Sequence, residues 1–177
     1  PDYAKVGKLR KSLGSPPTLA LTATATPEVQ LDILRKIELC DQRDVESGAW
    51  KAKLVSGGLE RPNLKLKVHS VYGLDEKIRL IAALRHQAPG VCIVYISLIS
   101  TLKKISSELS KIGISHLVYH GDLDANLKKR NLRLFQESET ELMIATPAFG
   151  LGIDKNNVRL IVHAETPGSL ESYFQEI

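Results

Sequence analysis

Aromatic residues are scarce in this 177-residue chain, at 5%. The core is therefore expected to be aliphatic, built on Leu, Ile, Val and Ala. Cysteine is nearly absent, with only Cys40 and Cys92. Two lone cysteines make neither a disulfide framework nor a zinc pattern. Cys92 lies inside the apolar run Val91–Ile96, where a buried, reduced thiol is the expectation. No apolar run reaches the ~18–20 residues that a membrane-crossing helix needs, and no signal peptide opens the chain. A reducing cytosol is thus the expected compartment, with no membrane partner. Internal repeats, low-complexity tracts and blocks of like charge are also missing.

What remains is a globular composition, 43% hydrophobic, with a net charge of +4. That modest basic excess is compatible with a nucleic-acid surface without demanding one. The opening Pro1-Asp2 and the helical close at Gln175–Ile177 are expected of a piece cut from a longer protein.

Thr18–Thr22 is β-branched and apolar and predicts a short strand, with Pro16-Pro17 barring a helix before it. Thr26 is placed to cap a following helix, with Pro27 at its first position, Glu28 near its positive end, and Val29, Ile33, Leu34 and Ile37 on its apolar face. Residues 41–63 carry no clear period and are read as a connector holding a short strand near Ala52–Val55. Leu64, Leu66 and Val68 alternate with Lys65, Lys67 and His69, which predicts a half-exposed strand. From there strands and amphipathic helices alternate: helix 74–87, strand Val91–Ile96, a helix face through Ile99–Ile112, strand Ser115–Tyr119, helix 123–136, strand Glu141–Thr146, strand Arg159–His163, and a helix opening near Ser169. This alternation predicts a doubly wound, parallel α/β sheet flanked by helices. The expected division is 1–40 as the tail of one domain, 41–63 as connector, and 64–177 as most of a second domain.

Four strings carry candidate chemistry. Leu21–Thr26 reads LTATAT and puts Thr22 and Thr24 on one side of the chain and Ala23 on the other. The hydroxyls could bond a carboxylate or phosphate-coordinating water; the same spacing also serves a plain strand end and helix cap. After Val91–Ile96, Ser97 precedes a helix whose first N–H groups could hold a phosphate, or the junction could be an ordinary β–α turn. Tyr119-His120-Gly121-Asp122-Leu123 closes the next strand, and Lys128, Lys129, Arg130 and Arg133 give its helix a basic face. Such a face meets phosphate backbones or simply water. Residues 142–163 read LMIATPAFGLGIDKNNVRLIVH. Thr146 offers a hydroxyl, Pro147 holds it extended, Gly150 and Gly152 permit close backbone approach, and Asp154 offers a carboxylate to a ribose or a water.

Together these strings resemble the motor core of a RecQ-like superfamily 2 DNA helicase. LTATAT is similar to motif III, YHGDL to the family's YHAGL segment, and ATPAFGLGIDKNNVRLIVH to motif V. Glu171–Ile177 (ESYFQEI) is similar to the approach to motif VI. The chain departs from the family at Ser97-Leu98-Ile99, where an arginine is usual, at Pro147 for Val, and at Asn156 for Pro. The resemblance implies a RecA-like fold: the end of a first RecA-like domain at 1–40 and most of a second at 64–177. It implies an ATP-dependent, 3′-to-5′ DNA helicase using ATP and Mg²⁺ on single-stranded or partly duplex DNA. The compartment would be the cytoplasm and nucleoid of a bacterium or the nucleus of a eukaryote. Thr22, Ala23 and Thr24 would couple the two domains. Gly152, Asp154 and Gln175 would line the nucleotide cleft, and Ser97, His120, Lys128 and Thr146 would meet DNA.

No GxxxxGK[ST] loop and no Asp-Glu pair of Walker-B type is present, and motif VI stops before its arginines. The chain is therefore expected to be inactive without the missing first RecA-like domain. A second reading is a non-catalytic nucleic-acid-binding or interaction module that kept this fold; a third is an RNA helicase of the same superfamily.

Overall fold

A computed structural model describes residues 5–22, 25–40, 44, 52–55, 61–150 and 153–177. They fall into two compact units, Pro1–Lys67 and Val68–Ile177.

The first unit holds α1 (Val6–Ser12), which the sequence reading did not anticipate, and α2 (Pro27–Lys36). The hydroxyl of Thr26 accepts from the Val29 N–H, and Pro27 occupies the first turn, as expected of that string. A backbone N–H and then the Thr26 hydroxyl hold the Glu28 carboxyl below its usual range. Gly7 lets α1 approach the end of α2 closely: a Cβ there would sit 2.5 Å from the Lys36 carbonyl oxygen. Lys11 Nζ meets Glu38 Oε2 at 2.6 Å, and Arg10 Nε donates to Thr18 Oγ1 at 3.0 Å.

Thr18–Thr22 is not a strand, and neither are residues 52–55 or 64–68. Leu19, Leu21, Val55, Leu66 and Val68 are all well exposed. Period-two alternation describes a surface able to pair, but a strand persists only where a neighbour takes up its backbone groups. All four described strands lie further along the chain. The expected α2 stripe is covered unevenly, with Ile37 buried at its end, Ile33 and Leu34 half-buried and Val29 exposed.

The second unit runs α3 (Gly73–Gln87), β1 (Val91–Tyr95), α4 (Ile99–Lys111), β2 (Leu117–Tyr119), α5 (Ala125–Glu137), β3 (Leu142–Ala145), a 3₁₀ turn (Pro147–Gly150), β4 (Val158–His163) and α6 (Leu170–Glu176). The strands form one sheet in the order β2-β3-β1-β4, every pair parallel. Parallel neighbours cannot be joined by hairpins, so each connection must cross a face of the sheet.

The two-residue period of the strands sorts the core into two layers. Cys92, Val94, Leu142 and Ile144 face Ile78 and Ile81 of α3 and Leu102, Ile105 and Leu109 of α4. Val91, Ile93, Tyr95, Met143 and Ala145 face Phe135 of α5 and Phe149 of the 3₁₀ turn. Each of these large side chains contributes ~1.5–3 kcal/mol by leaving water, so both layers are substantial. With helices on both faces, the sheet is the doubly wound architecture that the alternation implied.

Polar clasps set the helices on this core. Asn131 is buried and its Nδ2 donates to the Val118 carbonyl at 2.8 Å, tying α5 to β2. Arg85 at the end of α3 donates to the carbonyls of Gly90, at 2.8 Å, and Thr140, just before β1 and β3. Its guanidinium also covers the Cys92 thiol, whose pKa burial pushes up. Ser169 caps α6 by accepting from the Ser172 N–H at 3.1 Å.

Candidate nucleic-acid interface

Because every strand points the same way, the segments after β1, β2, β3 and β4 all leave one end of the sheet. The ladder continues one residue beyond the strands. Thr146 N–H donates to the Tyr119 carbonyl at 3.0 Å, Ile96 N–H to Ala145 at 2.9 Å, and Ala164 N–H to Tyr95 at 3.0 Å. His120, Thr146, Ile96 and Ala164 thus form a row across the rim. Ser97 follows directly and is exposed.

The rim gathers several of the expected residues. Thr146 is 9% exposed, its N–H spent on Tyr119 and its carbonyl accepting from Phe149, which closes the 3₁₀ turn. His120 lies just under the surface at 3% exposure, and its Nδ1 has no hydrogen-bond partner among the described residues. Its pKa is lowered first by burial and then by Lys103 and Lys128, against an opposing pull from Asp122. At neutral pH this is a neutral imidazole with two amines in its field, a setting that favours an anionic neighbour. Lys128 belongs to α5, yet its amine donates to the Gly121 carbonyl. Asp124 caps that helix by accepting from Asn126 N–H at 2.8 Å. Ser97, His120, Lys128 and Thr146 therefore share one edge.

The remaining expected residues are placed differently. Asp154 is exposed and adjoins Lys155, whose amine donates to the Gln136 and Ser138 carbonyls at 3.0 and 2.7 Å. Those carbonyls end α5 and lead into the start of β3, so the chain has turned toward the far end of the sheet. No described contact joins Asp154 to Thr146. Gln175 sits on α6 with its carbonyl oxygen 3.7 Å from where a Gly150 Cβ would stand, next to the 3₁₀ turn. Thr22 is exposed and outside any strand. Ala23, Thr24 and Gly152 lie outside the described residues. Among the described residues no three His, Cys, Asp or Glu gather into a metal-binding group.

Sequence reasoning missed Glu165. Its Oε2 accepts from the Ser97 N–H at 2.9 Å, across the β1–β4 boundary. It stands two residues beyond β4, as Ser97 stands two beyond β1, and that shared offset was the available signal. Also missed were His163 and Glu176, which pack with Tyr95 beneath the turn.

Residues 75–177 match the family described as Helicase conserved C-terminal domain. This chain belongs to that family. Within it, the chain is 35% identical to "Probable ATP-dependent DNA helicase RecS" of Bacillus subtilis (strain 168), over 100% of this chain and 34% of that protein. It is 36% identical to the "ATP-dependent DNA helicase RecQ" of the same strain, over 99% of this chain and 28% of that one. The chain thus spans about a third or less of these relatives. Among solved structures, "S. cerevisiae Dbp5 bound to RNA and ADP BeF3" superposes with a TM-score of 0.72, covering 96% of this chain and 44% of that one at 17% identity. The yeast DEAD-box splicing factor Prp28 gives 0.62, over 97% and 40%, at 16% identity. These structural likenesses establish the RecA-like fold; the sequence similarity runs to proteins named RecS and RecQ. Among the described residues no helix of this family member is long and apolar enough to cross a membrane.

Proposed function

We propose that this helicase-family chain supplies the second RecA-like domain of an ATP-dependent DNA helicase that moves 3′ to 5′, and that it is inactive alone. Residues 1–40 are then the end of a preceding RecA-like domain, and 41–63 the connector. One observation carries the reading: Ser97, His120, Lys128 and Thr146 stand on one rim at the carboxyl ends of parallel strands. Open α/β sheets bind phosphate-bearing ligands at such ends.

In this reading the Thr146 hydroxyl donates to a phosphate oxygen of a single strand. The N–H groups opening α4 donate to the next phosphate, aided by Lys103. His120 stays neutral and donates from its ring, and Lys128 braces the turn while adding charge. Gly152 and Gln175 serve the nucleotide, and Thr22, Ala23 and Thr24 couple its hydrolysis to strand movement; Asp154, where the chain has turned toward the far end of the sheet, is left out of that set. ATP supplies the free energy when bound there with Mg²⁺; this chain contributes orientation and strand contact. Single-stranded or partly duplex DNA is the substrate, in the cytoplasm or nucleus according to the host.

The test is ATP hydrolysis by the full-length gene product with and without single-stranded DNA. Stimulation is expected, alongside none in the 177-residue chain; a full-length protein that ignores DNA would sink the motor reading. A second reading, a non-catalytic nucleic-acid-binding module, draws support from Glu165, which occupies the Ser97 N–H where a phosphate would bind, and from Leu98 in place of the usual turn arginine. Strand binding without stimulated hydrolysis would favour it.

A further inference from the structure

We propose that Tyr95, His163 and Glu176 form a buried linkage that makes the Thr146–Gly150 turn and helix α6 respond as one body, so that strand binding at the turn is felt along α6; the consequence for hydrolysis rests on the helicase reading above.

Tyr95 ends β1 at 3% exposure. Its ring stacks on that of its cross-strand partner His163, with centroids 5.5 Å apart at 24°. On the other side its hydroxyl presses on Gly150, the last residue of the turn. A Cβ at Gly150 would stand 2.9 Å from Tyr95 Oη. The turn therefore rests on the tyrosine hydroxyl with no side chain between.

His163 continues the path. Its Nε2 lies 2.8 Å from Glu176 Oε2, an ion pair once the imidazole is protonated. Its ring also meets Tyr173, with centroids 5.1 Å apart. Tyr173 and Glu176 both belong to α6, so His163 touches that helix twice. Glu176 is only 6% exposed. A carboxylate buried there is costly unless paired, and apolar residues of that size would hold the helix more cheaply. Packing alone does not call for this polar arrangement. It does give α6 one defined seat relative to β1 and the turn. The far side of the turn is fixed as well, since Phe149 packs on Tyr119 and Phe135 at 5.0 and 5.2 Å. Motion at Gly150 is therefore directed toward Tyr95.

The test has two arms on Tyr95→Phe, which removes one hydroxyl, and Glu176→Gln, which removes one charge. Amide exchange is measured in this chain at Phe149 and Tyr173, whose N–H groups donate to Thr146 and Ser169. Both amides should exchange about tenfold faster together, while Leu102 and other α4 amides keep wild-type rates. Opening of only one reporter, or of neither, overturns the linkage. General loss of protection with a lowered Tm does the same, since it marks a purely structural role. The second arm measures hydrolysis by the full-length protein. Basal rate and nucleotide-free DNA affinity should stay unchanged, with DNA stimulation down about tenfold; unchanged stimulation refutes the proposal. A wild type without stimulation sinks the motor reading instead, and the exchange arm still decides the linkage.

Discussion

The Ser97 N–H and the Glu165 carboxylate meet at 2.9 Å, so an acidic side chain holds a backbone donor at the opening of α4. A nucleic-acid phosphate seeking the same donor must displace it or bind beside it. Removing the charge should therefore strengthen binding. Glu165→Gln is expected to raise affinity for a short single strand about threefold at low salt, consistent with roughly 0.7 kcal/mol for one partly exposed charge. Fluorescence anisotropy at two salt concentrations reads this, and the gain should shrink at high salt.

Thr146→Val keeps the shape of a nearly buried residue and deletes only its hydroxyl. Thermal stability should hardly change, while strand affinity falls about tenfold, or ~1.4 kcal/mol, as for one lost hydrogen bond to a charged group. Equal affinity for mutant and wild type would remove Thr146 from the interface.

Gly150→Ala introduces a methyl 2.9 Å from the Tyr95 hydroxyl. The ring cannot retreat easily, because it stacks on His163 inside the core. A loss of ~1–3 kcal/mol is expected for this overpacking, measured by urea unfolding. Pairing it with Tyr95→Phe should recover part of the loss.

Stability should also respond to pH through two histidines. Burial depresses His163 below its ordinary 6.5, with the Glu176 charge opposing, and burial with Lys103 depresses His120. A depressed histidine binds its proton more readily when the chain is unfolded. Its contribution is therefore complete above pH 6.5 and is lost as pH falls toward the folded value. Tm should hold steady from about pH 8 to 7 and drop between about pH 6.5 and 5. His120→Asn should flatten part of that slope.

Much of the second unit could be read from sequence because each signal there was local. Ile78 and Ile81, and Leu102, Ile105 and Leu109, recur at helical spacing, and Val91–Ile96 is apolar throughout as a strand covered on both faces must be. The failures came where structure depends on a distant partner. Leu64, Leu66 and Val68 alternate as faithfully as any strand but have no described strand paired beside them. Ser97, His120 and Thr146 could be placed on one rim from sequence because each closes an apolar run. Glu165 was not, because its role exists only once β1 and β4 lie side by side. His163 and Glu176 were invisible for the same reason, being thirteen positions apart on different elements.

Both thiols of this chain are withdrawn from solvent, Cys92 behind the Arg85 guanidinium and Cys40 shortly after α2. A thiol introduced on the outer face of α5, for instance Lys129→Cys, would then be the single fast-reacting position. One fluorophore could be attached there under native conditions without deleting either natural cysteine. The same protection makes unwanted crosslinking between molecules during storage in air slow until the fold itself opens.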